Sequence, residues 1–157
     1  MKTLNNIFAN SVKIIGAVLA LGVILCACSS VNISVDELCD GINKSVEFET
    51  ELSQIDKDAA VKLYGLSDDD VTQMSAYISS GGYTDEFAVI KTEPSKVSKV
   101  TEKIDLRIQT LKTDYASYRP DEVSKLDNSV VISKGGYIVV CFSNDKSAQE
   151  KINELMK

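Results

Sequence analysis

The hydrophobic pattern of the chain predicts several amphipathic helices. The motif SVDE at residues 34–37 is a capping box, and apolar residues then recur every three or four positions, which predicts a helix over residues 35–46. A shorter helix is predicted over residues 57–63, because Gly65 provides a stop signal just after it. The longest periodic run predicts a further helix, whose apolar positions are Val97, Val100, Ile104, Ile108, Leu111 and Tyr115.

Two similar glycine pairs predict two β-hairpins. Residues 78–83 (ISSGGY) resemble residues 132–137 (ISKGGY), and apolar runs flank both glycine pairs. Tight hairpin turns need positive φ, which glycine adopts without steric cost. A helix is predicted after each hairpin, and the second one, near residues 148–155, has Ser143 or Asn144 as its N-cap. The alternative is that Gly-Gly is a common turn and the match is chance.

Together these elements predict an α+β fold. Two ββα units form a four-stranded antiparallel sheet with helices packed on it, preceded by one or two N-terminal helices and a signal peptide. We expect the two helices that follow the hairpins to lie on one face. The last strand is apolar on both sides, so the second face needs a cover, either the first helices or a partner. The predicted boundaries are a lipoprotein signal peptide at 1–27, a lipidated cysteine with a short linker at 28–33, and a single α+β domain at 34–157.

The N-terminal segment resembles a bacterial lipoprotein signal. An unbroken apolar run at residues 14–27 follows two lysines, and it is shorter than the about 20 residues that a membrane-spanning helix needs. The end of this run and the residue after it form LCAC (25–28), which resembles a lipobox, the motif in which a diacylglyceryl group is added to the cysteine before cleavage. Cys28 follows Ala27, whereas Cys26 follows the bulky Leu25, so we assign lipidation to Cys28. An ordinary secretory signal and an uncleaved anchor are the alternatives.

A lipidated Cys28 places the protein on the extracytoplasmic face of the cell membrane. Two acyl chains, palmitate among them, hold a protein stably on a bilayer. The linker at residues 29–33 reaches roughly 17 Å when fully extended, at about 3.4 Å a residue. We therefore expect the domain, and its partners, to lie close to the membrane.

The charge balance narrows the class of partner. The net charge is −6 for the whole chain, and it becomes −8 once residues 1–27, with their two lysines, are removed. Nucleic-acid binding depends on clustered Lys and Arg, so we expect no nucleic-acid partner. The absence of histidine removes the commonest general base and the commonest neutral metal ligand. We therefore expect no catalytic site, no cofactor and no metal.

Two groups of residues are candidate chemical sites. One interpretation of the acids at 68–70, with Asp85 and Glu86, is a metal site. We favour the alternative that the acids at 68–70 mark the start of a helix, where backbone N–H groups attract anions. Cys39 and Cys141 remain after processing at Cys28, and an even number outside the cytoplasm permits a disulfide. Because each lies among apolar residues, we favour unpaired buried thiols.

One basic stripe runs along the longest predicted helix. Such a stripe is usually a solvated face, and Glu102 and Asp105 dilute its charge. A lipid anchor nevertheless brings it near anionic headgroups or cell-wall polymers, so contact with an anionic surface is the alternative. Its four members are Lys96, Lys99, Lys103 and Arg107.

Several segments occur in an order and spacing that resemble a known family. The segments are 63–66 (LYGL), 77–79 (YIS), 85–91 (DEFAVIK), 118–120 (YRP) and 125–128 (KLDN). With them, the chain is similar to the small lipoproteins of Gram-positive bacteria grouped as domain of unknown function 4358, from about Val35 to Leu155. That family has no established activity, so the resemblance implies a lipoprotein but no catalytic residues, and Cys39 and Cys141 are not part of its pattern.

These observations predict a lipid-anchored extracytoplasmic protein that acts as a non-catalytic binding module. Its expected partner is an envelope protein or a cell-wall polymer close to the membrane. Two alternatives stay open: a small envelope enzyme or redox protein that uses carboxylates or Cys39 and Cys141, and a sensory or assembly component that self-associates through the second face of its sheet.

Overall fold

Alternating and periodic apolar residues build one sheet between two layers of helices. The computed structural model describes residues 31–157, so the predicted signal peptide at 1–27 and the lipidation site Cys28 lie outside the described residues. The strands are β1 (Ser53–Ile55), β2 (Gln73–Ile78), β3 (Glu86–Lys91), β4 (Val130–Lys134) and β5 (Tyr137–Phe142). The helices are α1 (Val35–Ser45), α2 (Lys57–Leu63), α3 (Val97–Tyr118), α4 (Val123–Asp127) and α5 (Ala148–Leu155).

The sheet is antiparallel throughout and has the strand order β1-β2-β3-β5-β4. The α+β class and both predicted hairpin pairs, β2–β3 and β4–β5, are confirmed. The expectation of four strands was wrong, because β1 pairs with β2 as a fifth strand. β1 has only three residues, which is too short to show an alternating pattern in the sequence.

Both faces of the sheet are apolar, as the sequence of the last strand predicted. One face packs against α2, α3 and α4, and Ile104, Leu126 and Ile138 lie fully buried there. The other face packs against α1 and α5, where Leu38 and Ile152 are fully buried. Burial of each such side chain contributes about 1.5–3 kcal/mol to the stability of the fold. The expectation that α3 and α5 share one face was wrong, because each apolar face requires its own cover.

Most helix boundaries follow the sequence signals. The capping box at Ser34 is present, with the Glu37 N–H donating to Ser34 Oγ at 3.2 Å. The N-cap of α5 is Ser147 rather than Ser143 or Asn144, since Asp145 accepts the Ser147 N–H at 2.8 Å and holds the chain in a turn until that point. The short helix α4 was not predicted.

The glycine pairs have the predicted backbone conformation. Gly81 and Gly82 have φ of 74° and 83°, and Gly135 and Gly136 have φ of 57° and 82°. A Cβ on Gly136 would lie 2.7 Å from the carbonyl oxygen of Thr92, so that turn has no room for a side chain. The β4–β5 turn therefore requires glycine for space as well as for φ.

The first described residues attach to one end of the sheet. Val31 and Ile33 pack on the apolar cluster under α1 and α5, and Tyr137 Oη donates to the Ile33 carbonyl oxygen at 2.8 Å. Tyr137 pairs with Lys91 at this end, whereas Glu86 and Phe142 pair at the opposite end. We call the Tyr137 end the tether end. Within residues 31–157, no helix combines the length and the apolar character needed to cross a bilayer.

Candidate functional site

An open groove lies between α2 and α3 on the surface of the domain. Its volume is about 310 Å³. Leu63 and Leu106, which are 37% and 60% exposed, both line it. They are two of the three large apolar side chains that are exposed among the described residues, so the groove concentrates apolar surface that the rest of the domain buries.

Three side chains fix the inner wall of this groove. Tyr64 is buried, and its Oη donates to Glu86 Oε1 at 2.5 Å. Arg107 donates to both carboxylate oxygens of Glu86, at 2.6 Å and 3.1 Å, and its guanidinium lies 5.0 Å from the centre of the Tyr64 ring. Burial and the charge of Glu86 raise the pKa of Tyr64 well above its ordinary value, so the phenol stays protonated and remains a donor.

Two lysines give the groove its charge. Lys62, in the last turn of α2, and Lys103, on α3, both line it. Neither forms an ion pair with another described residue, and Asp114 is the one acid in the lining. On an acidic domain this surface is locally basic. The sequence placed Lys103 on the basic stripe but gave no reason to join it to Lys62, because their proximity depends on how α2 packs beside α3.

The other members of the predicted basic stripe have partners inside the protein. Lys96 Nζ donates to the carbonyl oxygen of Asp69, and Lys99 Nζ lies 2.6 Å from Asp70 Oδ1. Arg107 is bound to Glu86, and its side chain is only 13% exposed. Contact of this stripe with an anionic surface stays a prediction, and Lys103 is the member best placed to make it.

The acidic run at 68–70 forms a single 3₁₀ turn, as the helix-start interpretation predicted. The Ser67 N–H and Oγ both donate to Asp70 Oδ2, at 3.0 Å and 2.7 Å. Hydrogen bonds from Lys99 and Ser67 hold the pKa of Asp70 well below its ordinary value. Asp85 and Glu86, the other two acids of the candidate metal site, pair with Lys125 and Arg107 respectively, so the five acids do not converge on one point.

A second group of charges is buried at the end of the sheet opposite the tether end. Lys125 is 1% exposed, and its Nζ lies 2.8 Å from Asp85 Oδ2, 3.1 Å from Glu122 Oε2 and 2.8 Å from Glu49 Oε2. The side chains of Asp85 and Glu122 are 0% and 2% exposed, while that of Glu49 is 51% exposed. We call Lys125, Asp85, Glu122 and Glu49 the Lys125 cluster.

The carboxylates of the Lys125 cluster also accept hydrogen bonds from the backbone. The Thr84 N–H and Oγ1 donate to Glu122 Oε2 at 2.7 Å and 2.9 Å. The Glu49 N–H donates to Asp85 Oδ1 at 3.1 Å. Sequence reasoning missed this cluster, since its members come from three separate segments, with Glu122 and Lys125 in the same one. The one signal was that Asp85 and Lys125 both lie in segments that carry the family resemblance.

Cys39 and Cys141 are free and buried, as predicted. Each is 1% exposed within the cluster under α1 and α5. Burial, with smaller contributions from nearby acids, raises the pKa of each thiol to about 12. A thiol in this state is protonated at neutral pH and is a poor nucleophile, which counts against the redox alternative.

The fold and the groove define a small α+β domain with one concave, partly apolar surface. The chain belongs to the family described as domain of unknown function (DUF4358), whose model matches residues 44–143. This range contains all five strands, the groove and the Lys125 cluster, but only the end of α1 and none of α5. Comparison with curated proteins finds no match, and comparison with solved structures finds none either.

Proposed function

We propose that this chain is a lipid-anchored extracytoplasmic protein that acts as a non-catalytic binding module, and that the α2–α3 groove binds its partner. The observation that carries this proposal is the exposure of Leu63 and Leu106 at one concave surface. Exposed apolar patches rimmed by charged residues are typical of interaction sites. Lys62 and Lys103 supply that rim.

The groove fits a protein segment that presents an apolar side chain beside acidic residues. A volume of about 310 Å³ accommodates one or two apolar side chains rather than a large ligand. Lys62 and Lys103 lack ion-pair partners among the described residues, so an acidic segment would find complementary charge there. A short amphipathic helix or an extended peptide could supply both features.

The position of the groove favours a protein over the bilayer itself. Tyr64 and Arg107 both bind Glu86, the β3 residue furthest from the tether end. The five steps along β3 from Glu86 to Lys91 span roughly 17 Å at about 3.3 Å each. With Cys28 lipidated, the groove would therefore lie on the part of the domain that points away from the membrane.

Site-specific photo-crosslinking in cells tests this proposal. A photoreactive amino acid replaces Leu106 in the full-length chain, and the control position is Asn153, which is exposed on α5 over the other face of the sheet. We expect a discrete protein adduct at position 106 and none at position 153. The crosslinked peptide of the partner should carry Asp or Glu next to apolar residues.

Charge reversal provides the matched control for the crosslinking experiment. Changing Lys62 and Lys103 to Glu should abolish the adduct, whereas Lys44→Glu, at an 80% exposed lysine on α1, should leave it unchanged. An adduct that survives reversal of both groove lysines contradicts the proposed charge complementarity. A heterogeneous adduct that resists protease would instead identify a cell-wall polymer and overturn the protein partner.

The anchor is tested separately. Cys28→Ser should abolish labelling by a fatty-acid probe and leave an unprocessed precursor, while Cys26→Ser should change neither. Label that persists in Cys28→Ser would refute the lipidation site.

A further inference from the structure

Lys125 differs from the other paired lysines of the domain in being closed off from water. The other lysines that form ion pairs within residues 31–157 keep side chains between 26% and 80% exposed, whereas Lys125 is 1% exposed. Its amine contacts the equally buried carboxyl group of Asp85 and a second buried carboxylate, that of Glu122. An amine, a carboxyl group and a third group that can move protons are the components of an amide-forming site.

We propose that Lys125 and Asp85 condense to form an intramolecular amide bond, with Glu122 as the catalytic proton carrier. Nζ of Lys125 lies 2.8 Å from Asp85 Oδ2, which is the ion-pair contact of two groups that have not reacted. This contact holds the amine next to the carboxyl group that it would attack, so the two reactants are already positioned. The bond would covalently join the residue before β3 to α4.

The reaction balances without any other reagent. One proton moves from the Lys125 ammonium to the Asp85 carboxylate, which converts the ion pair to an amine and a carboxylic acid. Nζ then attacks Cγ of Asp85 and passes a second proton to Glu122. Glu122 delivers this proton to the departing hydroxyl group, so that the C–N bond forms, a C–O bond breaks and one water molecule leaves. No atom is oxidised or reduced.

The surroundings of Asp85 suit this step. Its Oδ1 accepts the Glu49 N–H at 3.1 Å, so a backbone donor faces the oxygen that becomes negative when the amine attacks. Thr84 holds Glu122 in place through two hydrogen bonds to Oε2. Glu49 is half exposed, and the water that leaves has a route to solvent on its side of the cluster.

Before it reacts, the Lys125 cluster is ionic. Burial disfavours the charge on Lys125, but hydrogen bonds to Asp85, Glu49 and Glu122 outweigh it and raise the pKa of the amine. The neutral amine is therefore a minor form. A minor form is sufficient here, because each molecule has to react only once, and burial then protects the amide from hydrolysis.

Peptide mapping of the full-length protein tests the proposal directly. Trypsin does not cleave after an acylated lysine, so the bond should yield a branched peptide in which residues 63–91 are joined to residues 113–134, with a mass one water below the sum of the two. Cleavage after Lys99 and Lys151, whose ion pairs are exposed, should be normal in the same digest.

Two variants define the outcome. Lys125→Met and Glu122→Gln should both lack the branched peptide, and Glu122→Gln should regain cleavage after Lys125. The wild-type digest needs no variant to fold, and the linear peptides alone in that digest would overturn the proposal. A branched peptide that persists in Glu122→Gln would overturn the role of Glu122.

Discussion

The two ββα units of this domain share an order of elements and a glycine-pair turn, yet they differ in what their helices do. In the first unit, β2 and β3 lead to α3, which has 22 residues and carries the groove and the Arg107–Glu86 ion pair. In the second unit, β4 and β5 lead to α5, which has eight residues and packs by apolar contacts on the opposite face.

This difference separates the proposed binding surface from the helices that support the fold. The groove and the Lys125 cluster lie on or around the first unit, inside the range that matches the family. Helices α1 and α5 lie mostly outside that range, and the cluster beneath them holds the two inert thiols. Two units with similar local sequence patterns can therefore differ in role. The helix of the first unit lines an exposed groove, whereas the helix of the second unit only completes the apolar core.

Loss of Lys125 should have the largest effect on stability. Measured against the unreacted ion pairs, Lys125→Ala would leave Asp85 and Glu122 buried without their cation, and such changes cost about 3–5 kcal/mol. The control in the second unit is Lys151→Ala, whose 31% exposed lysine pairs with Asp145 and should contribute about 1 kcal/mol or less. Urea denaturation of a soluble form beginning at Ser29 measures both. Equal losses of stability in the two variants would show that the buried and the exposed ion pair contribute alike.

The two turns should tolerate a side chain unequally. Gly136→Val combines positive φ with a contact of 2.7 Å to the backbone oxygen of Thr92, and we expect a loss of about 3 kcal/mol. At Gly82 the nearest atom is the Tyr118 hydroxyl at 3.2 Å, on a side chain that is 70% exposed and free to move. Gly82→Val should therefore lose only the strain of positive φ, about 1–2 kcal/mol.

Thermal and urea melts of both glycine variants make this comparison. A larger loss at Gly82 than at Gly136 would show that the first turn, not the second, is the more constrained. Wild-type stability in both variants would dismiss the steric argument altogether.

Two aspartates should weaken the fold when they are protonated in acid: Asp70, just before the first unit, and Asp145, between β5 and α5 in the second unit. Hydrogen bonds from Lys99 and Ser67 lower the pKa of Asp70, and hydrogen bonds from Lys151 and Ser147 lower that of Asp145 against the opposing effect of burial. A depressed folded-state pKa stabilises the protein above the unfolded value of about 3.9, and this contribution is lost as the pH falls further.

We therefore expect stability to decline as the pH is lowered from 5 towards 2. Asp70→Asn and Asp145→Asn should each flatten this decline, which urea midpoints measured across the range would show. A decline that neither variant changes would assign acid sensitivity to other carboxylates.

The smallest effect concerns the thiols under α1 and α5. Cys39 and Cys141 should resist alkylation in the native protein at neutral pH and react fully in denaturant, because both are buried and protonated. Mass spectrometry after brief iodoacetamide treatment measures the modification. Rapid native labelling would show that this face opens, and a mass change seen only after reduction would reveal a disulfide.

The sequence was a good guide to elements with a clear period. The apolar spacing of α1 and α3 and the glycine pairs predicted their structures, because those patterns are local. Elements of three and five residues, β1 and α4, show less than two periods and were missed. The placement of α3 and α5 on opposite faces depends on how the whole sheet is covered, which no local pattern records.

The candidate sites were harder to predict than the fold. The stripe from Lys96 to Arg107 is visible as a spacing, but its partners Asp70 and Glu86 come from other segments and become neighbours only after folding. The groove depends likewise on Leu63, which the sequence shows as an ordinary residue at a helix end. Contacts between distant segments therefore decide which charges remain available.

The hydrogen bond from Tyr137 Oη to the Ile33 carbonyl oxygen fixes Ile33 to the domain, so only four residues, 29–32, separate this fixed point from Cys28. With Cys28 lipidated, the domain and any partner on the same membrane would meet within a thin layer at the bilayer surface. Such confinement raises the effective concentration of each for the other, in the millimolar range for short connections. A groove that holds one or two side chains with weak intrinsic affinity would then be occupied much of the time, and binding measured with soluble fragments would underestimate it.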